Sequence, residues 1–249
     1  MIASLSKSRW PRSVAALFAI TLLAGCATTA SGDARDPLEG FNRGVYQFNK
    51  TTDEFVFHPI ARGYNAITPG MVDEGVTNFF SNLGEIANFA NNLLQFKLDA
   101  AANTVVRFML NSSIGIGGFF DVAKEGIPPE REDFGQTLAY WGIGSGPYLV
   151  LPFLGPSTAR DGVGIAADTF MHPITYIESD TAQAGLISLG FIDLKSDMLT
   201  TGDLVSEAAL DEYDFVKNAY LERRRNQILD QEDGSSFENY EDFEEDGGS

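Results

Sequence analysis

The sequence predicts an all-helical fold. Three observations carry that expectation: apolar residues recur at alternating steps of three and four through most of residues 36–229, no strong period-two run interrupts them, and no internal repeat returns at a fixed spacing. With 44% hydrophobic residues among 249, the chain can bury one sizeable core and hardly two, so a single domain is expected.

At the N-terminal end, Lys7, Arg9 and Arg12 precede an uncharged run over 14–23 that closes on Leu23-Ala24-Gly25-Cys26. This is the build of a secretory signal over 1–25. The apolar run of about 10 residues falls short of the about 20 that cross a bilayer as a helix. Small residues directly before a cysteine resemble the bacterial lipobox, in which the thiol is acylated. Cys26 is the only cysteine, so no internal disulfide can form, and acylation accounts for one unpaired thiol in an exported chain. Multiple acyl chains hold firmly where one, at about 0.8 kcal/mol per buried CH₂, anchors only marginally. Ala27 follows where an aspartate would signal retention at the inner membrane, which implies the outer membrane of a two-membrane bacterium, facing the periplasm. Residues 26–35 (CATTASGDAR) then read as a flexible tether.

The first helix is announced by Asp36-Pro37-Leu38-Glu39, with Asp36 expected as N-cap, Pro37 at the first helical position and Glu39 at the third. Leu38, Phe41, Val45, Phe48, Thr52 and Phe55 share one face of it, and His58-Pro59 should interrupt or bend it. Further amphipathic helices are marked by Val72, Val76, Phe79, Phe80 and Leu83, by Ile86, Phe89, Ala90, Leu93 and Leu94, and by Ala101, Ala102, Val105, Val106 and Met109. Ile187, Phe191, Leu194 and Met198 form a later stripe. A last helix is expected within 204–229 around Tyr213, Val216 and Tyr220, with Arg223 to Arg225 near its C-terminal end.

Residues 135–159 contain no Asp, Glu, Lys or Arg. The length could span a membrane, but Gly142, Gly144, Gly146, Pro147 and Pro152 forbid a continuous helix, at about 1 kcal/mol per Gly and about 3 per interior Pro. A hairpin or re-entrant loop fits better, with arms at 137–141 and 148–151 joined across 142–147. Such a loop either lines a cavity at membrane depth or is an ordinary buried loop; composition leaves both open.

Charge narrows the partners. The formal charge is −18, and without the three basic residues of the signal the chain keeps 14 basic against 35 acidic side chains, or −21. Nucleic acid is excluded as a partner on that balance, and recruitment by anionic head groups is disfavoured, so membrane contact must come from apolar burial and the anchor. Residues 230–249 hold nine acidic and no basic side chains, the composition of a disordered tail. It is either an acidic docking peptide anchored by Phe237, Tyr240 and Phe243 or simply a solvated end.

Catalytic patterns fail. Gly155-Pro156-Ser157-Thr158-Ala159 is one residue short of a nucleophile elbow and no strand is expected before it; Ser145 has Ile143 two residues earlier. His58 and His172 each precede a proline, where packing or capping is expected of them rather than base chemistry. Gly162 to Ala167 matches a dinucleotide fingerprint as a string, but without a leading apolar strand it reads as a closely packed helix or turn. Two distant histidines and one committed cysteine give no metal-ligand spacing, so neither metal nor cofactor is expected.

Several motifs in order carry a family likeness: the lipobox at Cys26, DPLEGFNRGVYQFN from Asp36, NFFSNLGE from Asn78, RFMLNSSIGIGGFFDVA from Arg107, EDFGQTLAYWGIGSGPYLVLPFLGPSTARDGVG from Glu132 and AYLERR from Ala219. Together they cover nearly all of 36–229, and the chain resembles the MlaA (VacJ) lipoproteins. The resemblance implies a ring-like bundle of amphipathic helices lying in the inner leaflet of the outer membrane around a polar central channel. It implies association with a trimeric outer-membrane porin, and transfer of phospholipid misplaced in the outer leaflet to a soluble periplasmic phospholipid carrier. The Gly/Pro segment falls at the family's hairpin loop beside the channel, marking Tyr140, Trp141, Gly142, Gly144, Gly146, Pro147 and Tyr148. The first-helix motif marks Asp36, Pro37, Glu39, Phe41, Asn42, Arg43, Phe48 and Asn49. Asp193-Leu194-Lys195-Ser196 departs from an arginine-containing turn expected in the family. Two alternatives stand beside transport: a structural lipoprotein that braces a porin, and a periplasmic lipid hydrolase.

Overall fold

The computed structural model describes residues 33–208 and 210–229, without the side chains of 200–208; Cys26, most of the tether and the acidic tail lie outside the described residues. The chain is mostly helical. Helix α1 (Glu39–Thr52) runs into a π-helical turn (Asp53–Phe57) and then α2 (His58–Ile67). Pro59 has no N–H for the carbonyl four residues back, and the widened π turn lies just before it, so the interruption expected at His58-Pro59 is a local rewinding.

The two stripes over 72–94 lie on a single 25-residue helix, α3 (Gly70–Leu94), followed by α4 (Leu98–Ser113). After a long connection come α5 (Phe134–Tyr140), strands β1 (Tyr148–Leu151) and β2 (Gly155–Thr158), and α6 (Ala159–Met171). A 3₁₀ turn (Pro173–Tyr176) leads to α7 (Asp180–Ala208) and α8 (Glu212–Ile228). Side-chain caps set three starts: Asp133 accepts from Gln136 N at 2.9 Å, Thr158 from Asp161 N at 3.2 Å, and Asp211 from Asp214 N at 3.2 Å.

Three expectations need correction. The hairpin is not 137–141 against 148–151: with Asp133 as its cap, 134–140 is helical, and β1 pairs antiparallel with β2, Tyr148 opposite Thr158 and Leu151 opposite Gly155. Its turn carries Pro152, with positive φ at Phe153 (65°) and Gly155 (85°). Asp36 is not the N-cap, since α1 begins at Glu39 behind Leu38 and Asp36 is wholly buried elsewhere. Residues 193–196 lie inside α7 and form no turn.

Packing inverts the usual order of polarity. Along α3 the buried face is Asn82, Glu85, Asn88, Asn91 and Asn92, and along α4 it includes Thr104, Arg107 and Asn111. Large apolar groups point outward: Phe55 is 76% exposed, Ile67 83% and Phe96 75%, with Met71, Leu98, Met109, Ile116 and Phe170 similarly open. The strictly buried apolar cluster is small, built on Tyr148, Val150 and Tyr213. Among the described residues no helix is long and apolar enough to cross a membrane.

Candidate functional site

Two of the motifs singled out in the sequence meet in space. The Asn42 amide donates to Tyr148 O at 3.0 Å and accepts from Val150 N at 2.9 Å. Seven residues on, two turns along the same face, Asn49 donates to Leu151 O at 2.9 Å and accepts from Phe153 N at 2.8 Å. The two asparagines therefore serve β1 as a neighbouring strand would, satisfying backbone groups that an edge strand leaves open. Asp36 accepts from the Asn42 amide at 2.8 Å and from the Tyr213 hydroxyl, which ties α8 to the same point. Arg43 bonds Glu39 at 2.8 Å and reaches Asp211 and Asp214 at 3.0 Å each. Phe48 meets Phe153 edge to face at 5.3 Å, while Phe41 is half-buried and Pro37 exposed.

The loop 141–147 leaves α5 toward solvent. Gly142 (φ 84°) and Gly146 (φ 67°) occupy the left-handed region, which a side chain would strain. Gly144 does not, and a Cβ there would meet nothing within 4 Å. Hydrogen bonds from Arg160 N to Ser145 O at 3.1 Å and from Ala159 N to Pro147 O at 3.0 Å fasten the loop to the start of α6. Trp141 is 49% exposed and its Nε1–H donates to Leu94 O at 3.1 Å; Tyr140 is also exposed, and Tyr148 is buried.

A polar seam runs along α3 from this loop to a cleft. Thr137 donates to Asn91 Oδ1 at 2.9 Å, Gln95 donates to Thr137 at 3.1 Å and to Glu132 at 2.9 Å, and Asn88 accepts from Glu132 N at 2.8 Å. Beyond it lies a cleft of about 390 Å³ with an apolar wall of Phe80 and Leu194 and with Gly84 and Gly190, its polar groups being Thr77, Ser81, Glu85 and Asn88 of α3, Arg131 and Glu132, and Asp193 and Asp197 of α7. No residue of the loop lines this cleft. Asp193, 4% exposed, accepts from Tyr64 Oη and Thr77 Oγ1, each at 3.0 Å. Burial raises its carboxyl above the ordinary range against those two hydrogen bonds, and Asp197 and Asp73 add repulsion. Asp197 is raised too, by desolvation and by Asp73.

Buried ion pairs close the frame around these features. Arg107, 2% exposed, bonds Glu85 at 3.0 Å and Asp121 at 2.9 Å, joining α3, α4 and the connection that follows. Arg224 of α8 grips both Asp133 oxygens at 2.6 Å and Asp161 at 2.9 Å. Burial pushes the Asp161 carboxyl up, but the hydrogen bond and charge of Arg224 outweigh it, with Thr158 and Tyr220 adding, and hold it below its ordinary value. Gly135 and Gly164 permit the close approach of α5 and α6: a Cβ on Gly164 would lie 2.5 Å from Gly135 N. The packed-helix reading of the glycine string thus holds.

Ser157 lies within strand β2 rather than at a turn after a strand; its hydroxyl is buried and donates to Thr158 O at 3.2 Å. The Ser145 hydroxyl is exposed and donates to Gly146 O at 3.3 Å, and His172 caps the 3₁₀ turn through Ile174 N at 3.4 Å. Apolar periodicity marked Phe80 and Leu194 of the cleft but missed its polar residues on α3, Glu85 and Asn88. Their signal was the complementary stripe of Asn82, Glu85, Asn88 and Asn92 at steps of three and four.

The family model of the MlaA lipoproteins matches residues 34–227. The chain is 36% identical over 210 residues to the intermembrane phospholipid transport system lipoprotein MlaA of Escherichia coli, covering 82% of this chain and 83% of that one. It is 30% identical to the lipoprotein of the same name from Haemophilus influenzae, over 86% and 89% of the two chains. An uncharacterized protein of Rickettsia felis is 38% identical over 76% of each chain. A solved structure described as the structural basis for maintenance of bacterial outer membrane lipid asymmetry superposes with a TM-score of 0.67 at 34% identity, covering 78% of this chain and 98% of that one.

Proposed function

This chain belongs to the MlaA lipoprotein family, and from that premise we propose that it removes misplaced phospholipid from the outer leaflet of the outer membrane and delivers it to a soluble periplasmic carrier. Cys26 carries the acyl anchor in the periplasm-facing leaflet, the helices form a ring in that leaflet beside a trimeric porin, and the loop at 141–147 borders the lipid path. The observation that supports this reading most is the inverted polarity. Phe55, Ile67, Phe96 and Leu98 face outward while Asn82, Glu85, Asn88, Asn91 and Arg107 face inward. An outward belt of that kind is costly in water and at home in hydrocarbon, and a hydrogen-bonded polar interior offers a head group a route past acyl chains. The work proposed is translocation, in which no covalent bond of the lipid changes.

The test is a strain deleted for this chain and complemented with parent or Cys26→Ala protein. Outer-leaflet phospholipid is measured by a surface-acting acyltransferase or phospholipase probe. The parent should restore lipid asymmetry and Cys26→Ala should not, while also losing fatty-acid label. Unchanged asymmetry on deletion would leave a porin brace as the better account, and fatty-acid release by the pure lipoprotein would make it a hydrolase.

A further inference from the structure

The cleft between α3 and α7 holds charges that the fold leaves without counter-charges. Of its four lining carboxylates, Glu85 is paired with Arg107 at 3.0 Å and Glu132 with Lys97 at 2.7 Å. Asp193 and Asp197 have no cation among the described residues, nor has Asp73, whose charge both of them feel. Asp193 is nevertheless almost wholly buried, its hydrogen-bond donors among the described residues being the hydroxyls of Tyr64 and Thr77. The nearest lysine in sequence, Lys195, is committed to Asp53 at 2.5 Å. The single cation of the lining, Arg131, is likewise without a carboxylate partner among the described residues: the only hydrogen bond its guanidinium makes there is a long one to Ser81 Oγ, 3.5 Å.

A buried carboxylate without a counter-ion, Asp193, with the exposed Asp197 one turn along the same helix, raises the energy of an empty site, and the exposed Arg131, paired with no carboxylate among the described residues, keeps its planar fork for another anion. A group carrying both charges a few bonds apart would satisfy both. We propose that this cleft is a subsite for a zwitterionic phospholipid head group with a primary ammonium, Arg131 receiving the phosphodiester and Asp193 with Asp197 receiving the ammonium. The inference rests on the transport reading above and names its preferred lipid class. The phosphodiester suits a guanidinium, which presents paired N–H donors to adjacent oxygens. The ammonium offers three N–H donors to carboxylates; a quaternary ammonium offers none, and an anionic glycerol head group brings no positive charge to a site whose unpaired charge is net negative. A volume of about 390 Å³ admits the head group while the acyl chains stay outside.

The test uses the full acylated lipoprotein in detergent and three short-chain probes, dihexanoyl phosphatidylethanolamine, phosphatidylcholine and phosphatidylglycerol, titrated by calorimetry. The ethanolamine probe should bind at least about five-fold more tightly than the others, a modest preference for one charge-assisted contact. Arg131→Gln should weaken all three by about ten-fold and keep their order. Asp193→Asn and Asp197→Asn should erase the order by weakening the ethanolamine probe alone. Asp197 is exposed, so its variant keeps the fold even if the Asp193 variant does not, and a thermal melt checks each. Equal affinity for the three probes, no binding of any, or indifference to Arg131→Gln overturns the proposal. If outer-leaflet clearance survives in cells while the probes bind equally, the head-group assignment falls alone; if clearance itself is absent, the transport reading falls.

Discussion

Arg224 shows how much one side chain of the last helix carries. It sits 8% exposed, makes a two-pronged bond to Asp133, and bonds Asp161, whose other oxygen accepts from Tyr220 and Thr158. Removing it takes from buried Asp161 one of its two cations, Arg160 remaining at 2.9 Å, and strips Asp133 of its two-pronged partner, so Arg224→Ala should cost about 2 kcal/mol or more in denaturant unfolding of the lipoprotein in detergent. Arg224→Lys should recover little of this, because a single ammonium cannot serve Asp133 in parallel and Asp161 together. A loss below about 1 kcal/mol would mean that water enters and solvates the carboxylate. The three consecutive arginines were visible in the sequence near the end of the last helix. Which one turns inward was not, since that depends on where Asp133 and Asp161 are brought by the close approach at Gly135 and Gly164.

The elements divide by how local their causes are. Helices α3 and α4 were legible from their amphipathic spacing, whereas α8, whose apolar periodicity is weak, was legible from Tyr213, Val216 and Tyr220 and its basic C-terminal end. The hairpin was not, because its pairing depends on Asn42 and Asn49 of a helix about a hundred residues away, as well as on the turn at Phe153 and Gly155. Apolar spacing also gave no sign of which face would turn inward: the same stripe suits a helix packed on a core and one packed on lipid. The loop at 141–147 separates two kinds of glycine and gives the next prediction. Gly142→Val and Gly146→Val place a branched residue at φ 84° and 67°, straining the loop by about 1–3 kcal/mol each, and at Gly146 the new Cβ also meets Ala159 Cβ at 3.0 Å. Gly144→Val does neither. If the loop shapes the lipid path, the first two should leave phospholipid in the outer leaflet or leak it there, with acylation and membrane-fraction amounts unchanged, while Gly144→Val behaves as parent. Damage from Gly144→Val equal to that at Gly146 would point to bulk in the loop's mouth rather than backbone angle.

At the scale of the whole molecule, the question is which side of the ring proposed here meets lipid, and the chain carries its own reporter. Its two tryptophans are Trp10, in the expected signal, and Trp141, so the processed lipoprotein would fluoresce from Trp141 alone. The indole N–H is held by Leu94 O, at the end of α3, where the chain continues into the open side chains of Phe96 and Leu98. An indole with one polar end satisfied and its rings beside exposed apolar groups belongs at a membrane–water boundary. The belt reading therefore expects Trp141, the first residue of the loop, near the head-group level with its rings turned to lipid. In vesicles, phospholipid spin-labelled high on the acyl chain should quench Trp141 strongly, label near the chain end should quench it less, and acrylamide in the water should quench it weakly. A second reporter fixes the belt independently: Ile67→Trp in a Trp141→Phe chain replaces a side chain that is 83% exposed at the end of α2, and it too should answer to lipid label rather than to acrylamide. Strong acrylamide quenching of Trp141 with lipid quenching at position 67 would move the loop to the water-filled interior and leave the belt standing. Acrylamide quenching at both positions would remove the belt, and with it the physical reason for placing the helices in the leaflet.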